Sequence, residues 1–156
     1  MKRTHVAVTA LVLIAFGIQS GAAQLAPYMM GHCNLGMVVA IVLSAYLPAT
    51  TLTAYVTYTL VRFSIGNENV LILLAKSTVS FLMVSRICYS FFDRGILRAV
   101  VFAFMGSLFE LVISVVVAPR TVKLYTVTDF LLPIVFNVVG TTILAFVVGL
   151  SVRNEL

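Results

Sequence analysis

Between Thr4 and Val61 the chain has no lysine, arginine, aspartate or glutamate. A run that long without charge would precipitate a soluble domain, whereas a hydrocarbon layer about 30 Å thick requires helices of about 20 apolar residues. Acidic groups are scarce throughout: five in 156 residues, with Glu110 alone in its span. Paired carboxylates for acid–base chemistry are therefore missing, as are a Ser or Cys with a nearby His and a glycine-rich phosphate loop, and no enzyme is expected. Cys33 and Cys88 stand singly and far apart, near opposite faces of the membrane in the span order below, so no disulfide is expected between them. His5 and His32 have no ligand-type neighbours, so neither a metal site nor a cofactor is expected. Tryptophan is absent, leaving tyrosine to populate the membrane–water interface.

Hydrophobic residues make up 62% of the chain, and membrane spans account for nearly all of it as a single transmembrane domain, residues 1–156. The net charge of +5 comes from ten basic residues scattered at helix ends and loops, which report orientation and give no nucleic-acid surface. The pattern predicts an all-α bundle of six transmembrane helices at about 6–26, 35–47, 50–61, 70–92, 96–118 and 128–151. Pro27 and Gly31-His32-Cys33-Asn34 end the first, Gly66-Asn67-Glu68-Asn69 caps the fourth, Asp93-Arg94-Gly95 separates the fourth from the fifth, and Pro119-Arg120 closes the fifth. Met1-Lys2-Arg3, the apolar run from Val6 and Gly21-Ala22-Ala23 also have the layout of a signal peptide. The apolar run continues to Ala26, which favours an uncleaved first span.

Between Leu35 and Val61, two short helices joined at Pro48 compete with one long kinked helix, which would give five spans. Two are expected, because about 27 residues in one helix would reach about 40 Å. Six spans place both termini on one side. Assigning that side to the cytoplasm puts Lys2, Arg3, Arg94, Arg98 and Arg153 inside, with Arg86 close by, against Arg62, Arg120 and Lys123 outside.

Ionisable groups within a span cost at least about 2.5 to 3.5 kcal/mol each, so each needs a reason. At about 1.5 Å per residue, Lys76 and Glu110 lie about 9 and 12 Å below the outer ends of their spans, with Asn137 and Gln19 about 13 and 10 Å down theirs. Four polar side chains from four spans thus share one layer. They either face a cavity open to the outside or act as interhelical glue, with Lys76 and Glu110 as an ion pair. Arg86 is close enough to the inner surface to snorkel to the headgroups. Gly17-x-x-x-Gly21, with Ala10 and Ala15 nearby, offers a small-residue face for internal packing or for docking another helix.

The second half of the chain resembles the rod-shape-determining protein MreD family. The resemblance lies in Arg86-Ile87-Cys88-Tyr89-Ser90-Phe91-Phe92-Asp93-Arg94 at a span end, Ser107-Leu108-Phe109-Glu110-Leu111 in the next span, and Phe130-Leu131-Leu132-Pro133-Ile134-Val135-Phe136-Asn137 leading into a last helix with a short basic tail. Gln19-Ser20 is similar to the family's pattern near the end of span one. The first half departs from it: Cys33-Asn34 stands where the family has Pro-Asp, and Arg62 where it has Asp. The resemblance implies a scaffold of the cell-elongation machinery in a bacterial inner membrane. It further implies an MreC-like bitopic partner and contact with the transglycosylase and transpeptidase pair that build side-wall peptidoglycan. It also implies a fold similar to the S components of energy-coupling-factor transporters. The alternative follows from that fold: an S-component-like protein that holds a vitamin or similar solute in the polar layer. An ion- or proton-conducting subunit is a third class, disfavoured because one layer of charge gives no relay across a membrane.

Overall fold

A short central helix packs against four others. The computed structural model describes residues 2–25, 34–65, 69–93, 95–117 and 127–154. These form helices α1 (Lys2–Leu25), α2 (Leu35–Tyr46), α3 (Thr51–Ile65), α4 (Val70–Phe91), α5 (Ile96–Val117) and α6 (Val127–Asn154), with no strand among the described residues. The segments about Pro27 to Cys33, Gly66 to Glu68, Arg94 and Pro119 to Lys123 lie outside the described residues, as does Glu155.

Windows in α1, α4, α5 and α6 are long and apolar enough to cross a membrane. Large apolar side chains such as Ile14, Leu71, Val116 and Ile143 are exposed on their outer faces. An exterior of this kind belongs to a membrane protein, whose solvent is hydrocarbon.

The break at Pro48 is a single 3₁₀ turn, Pro48–Thr50, and α2 and α3 fold back on each other as a hairpin. Proline has no N–H to continue α2 but fits the first position of the next turn. Helix directions follow from side-chain contacts. His5 meets Thr53 at 2.7 Å and, one turn on, Thr9 meets Thr57 at 3.5 Å, so α1 and α3 run parallel. Asn137 reaches the start of α2 while the Ala145 carbonyl accepts from Tyr46 Oη at its end, so α6 runs parallel to α2. The start of α1 and the last turns of α6 both lie near Tyr46, at the Pro48 end of the bundle.

Rings from four helices form the core. Phe16 of α1 lies 5.9 Å from Tyr58 of α3, and Phe81 of α4 meets Phe102 of α5 edge-on at 5.1 Å. Two glycines permit the closest approaches: a Cβ on Gly36 would collide with the Phe16 ring, and one on Gly106 would sit 2.8 Å from the Ser80 carbonyl. Ser80 lies in a π-helical stretch of α4, Thr78–Met83, which the sequence reading did not anticipate. Gly17 and Gly21, by contrast, have nothing within 4 Å of the place a Cβ would take, so they are not an internal packing face. They point outward on α1, whereas Ala15 is buried.

Candidate functional site

Twelve residues of helix span about 18 Å, well short of a hydrocarbon layer of about 30 Å. At least one end of α2 therefore stops short of the membrane surface, and its first N–H and last C=O groups have no partner within the helix. Side chains supply those partners at both ends.

At the start of α2, Asn34 is the N-cap, its Oδ1 accepting from the Met37 N–H at 3.1 Å. The Leu35 N–H donates to Gln19 Oε1 of α1 at 3.0 Å, and the Asn34 N–H donates to Asn137 Oδ1 of α6 at 3.0 Å. Three amides from three parts of the chain thus cap one helix start. Two of them also donate to a further partner. Asn34 Nδ2 donates to Tyr58 Oη at 2.9 Å, and Asn137 Nδ2 donates to Ser107 Oγ at 3.1 Å.

At the other end, buried Arg98 of α5 donates through Nε to the Phe92 carbonyl at 3.0 Å and through Nη1 to the Ala45 carbonyl at 3.4 Å. Its Nη2 also bonds Phe92 O, and its guanidinium lies 5.0 Å from the Tyr89 ring centre. Tyr89 Oη donates to the Ser44 carbonyl at 2.8 Å. A cation is the fitting cap for carbonyls that close two helices, because the helix dipole is negative there.

Beside the N-terminal knot lies the charged part of the layer. A half-open cleft of about 190 Å³ is lined by Arg62, Lys76, Ser107, Glu110, Ser114 and Asn137, among others. Here the sequence expectation needs correction: Glu110 pairs with Arg62, Nη1 to Oε1 at 3.3 Å, rather than with Lys76. Arg62 was expected in an outer loop beyond a span ending at Val61. Instead α3 continues to Ile65 and carries Arg62 on the same face as Tyr58, whose Oη accepts from it at 3.4 Å. Lys76 is buried and lines the same cleft.

The four expected layer residues thus fall into two groups. Gln19 and Asn137 meet at the start of α2, Lys76 and Glu110 meet at the cleft, and Asn137 belongs to both. Sequence reasoning missed Asn34, Tyr58, Ser107 and Arg62 as members, and Arg98 as the cap at the other end of α2. Arg86 is exposed. Cys88 is buried in the core, Cys33 lies outside the described residues, and no metal-binding group occurs among the described residues.

Comparison with protein-family models, with curated proteins and with solved structures returned no match. What the arrangement can do therefore rests on its chemistry. Amides that accept from backbone N–H groups fix helix positions.

Proposed function

We propose that the protein is a non-enzymatic membrane scaffold, a bundle that holds a fixed shape for partner proteins. The observation that carries this reading is the use of Gln19, Asn34 and Asn137 on the backbone of α2. Side chains committed in this way build a rigid centre. The cleft beside them, at about 190 Å³, is smaller than the roughly 300 to 1,000 Å³ of sites that enclose a vitamin-sized ligand. That size favours a scaffold over an S-component-like carrier.

The resemblance to the MreD family supplies the setting: the cell-elongation machinery of a bacterial inner membrane, with an MreC-like bitopic partner and the peptidoglycan transglycosylase and transpeptidase pair. Two of its motif residues, Glu110 and Asn137, are the ones engaged with Arg62 and with α2. In this proposal the chain crosses the membrane six times, α2 and α3 as a pair of which α2 falls short of the full layer, with both termini cytoplasmic. The shared location of the start of α1 and the end of α6 supports the even count.

Purification from the native membrane tests the function. A bitopic protein with a periplasmic coiled coil should accompany the chain. Recovery of nucleotide-binding ATPases or of a tightly held vitamin would overturn the proposal in favour of the solute-binding reading. Orientation is read by a reporter fused after residue 156, which should be active only in the cytoplasm.

A further inference from the structure

We infer that the cleft between α3, α4, α5 and α6 is a binding site for a small oxyanion of the phosphate-ester class, a function beyond the scaffold role. Its lining joins two cations, Arg62 and Lys76, with a single carboxylate, Glu110. The layer was expected to balance one charge against one, and Arg62 adds a second cation to it. Neither cation has to lack partners for this. A guanidinium carries five N–H donors and an ammonium three, more than one neighbour occupies, and Arg62 meets both Glu110 and Tyr58 through Nη1.

The second observation is independent of charge. Ser107, 5% exposed, accepts the Asn137 Nδ2 hydrogen bond, so its own hydroxyl proton has no acceptor among the described residues. Asn137, 3% exposed, uses one Nδ2 proton on Ser107 and has a second. Its orientation is fixed, because Oδ1 must face the Asn34 N–H. Two buried groups lining the cleft thus keep donor capacity that a ligand's oxygens can take up. Donors from a lysine, an arginine, a hydroxyl and an amide around a half-open cleft match the several acceptor oxygens of a phosphate better than they match a neutral polar solute. The same chemistry can come from soluble phosphate or from an anionic lipid headgroup reaching in from the membrane surface, since Arg62 lies in the last turn of α3.

The test is the thermal midpoint of the full-length protein in an uncharged detergent at constant ionic strength. Inorganic phosphate is titrated in one arm and short-chain phosphatidylglycerol in another, with an uncharged short-chain maltoside as control. The midpoint should rise with at least one probe. A response to inorganic phosphate identifies a soluble ligand, and a response to phosphatidylglycerol alone identifies a headgroup. Half-saturation should move up about tenfold or more in Lys76→Met and severalfold in Ser107→Ala. Ser107→Ala removes a single hydroxyl and serves if Lys76→Met does not fold, and a loss in either variant supports the site. Absence of any rise with both probes, or an unchanged half-saturation in every variant that folds, overturns the inference.

Discussion

At the Asn34 end of α2, amide oxygens of Gln19, Asn34 and Asn137 accept from backbone N–H groups, while at the Ala45 end a guanidinium and a phenol donate to backbone carbonyls. Both ends face the same difficulty, which is backbone groups that the helix itself leaves unpaired. The chemistry differs because the needs differ. Orphan N–H groups call for acceptors, which neutral amides provide without bringing charge into the bundle. Orphan carbonyls call for donors, and one arginine reaches the ends of α2 and α4 together. The cation is also favoured there by two helix dipoles. Polar residues that look anomalous inside spans thus follow from the length of one helix.

If this comparison is right, the ends should respond unequally to substitution. Arg98→Met should have the largest effect, about 2 to 4 kcal/mol of lost stability in detergent, because it strips charged donors from two helix ends at once. Arg98→Lys should recover only part of it, since an ammonium cannot fork between the Phe92 and Ala45 carbonyls. A Lys variant as stable as the parent would remove the forked cap from the account.

At the opposite end the load is divided, so single changes should cost less. Asn137→Leu is expected to cost about 1 to 3 kcal/mol and Gln19→Leu about 0.5 to 1.5 kcal/mol, read as shifts in thermal or denaturant midpoint. Equal costs for Arg98→Met and Gln19→Leu would contradict the division of labour.

Smaller again is the Arg62–Glu110 pair, whose side chains are 27% and 21% exposed. Glu110→Gln should cost about 0.5 to 1 kcal/mol, and a double-mutant cycle should show stronger coupling of Glu110 to Arg62 than to Lys76. Stronger coupling to Lys76 would restore the pairing first expected from depth alone. Gly17→Leu should change stability by less than about 0.5 kcal/mol, because its outward face meets no neighbour.

Much of this architecture was legible in the sequence. The uncharged run, the loops and Pro48 mark the helices, and a rise of about 1.5 Å per residue brings Gln19, Asn137, Lys76 and Glu110 to similar depth. The purpose of the amides was not legible, because depth does not reveal that the start of α2 lies level with them and bare. Arg62 was misplaced because the apolar run ends at Val61 and a charge next to it reads as the end of a span. The helical spacing Tyr55, Tyr58, Arg62 was the signal that α3 continues, with all three on one face. Arg98 read only as one of the basic residues on the cytoplasmic side, since nothing local in its helix indicates that its partners are the carbonyls of Ala45 and Phe92.

Residue-resolved hydrogen–deuterium exchange at the start of α2 tests the central claim most directly. With Gln19→Leu, the Leu35 amide should exchange at least about tenfold faster while the Asn34 amide keeps its rate; with Asn137→Leu the two should trade places. Amides in the middle of α2 should be unaffected in both. Unchanged exchange at Leu35 and Asn34, or a uniform acceleration along the whole of α2, would contradict the account.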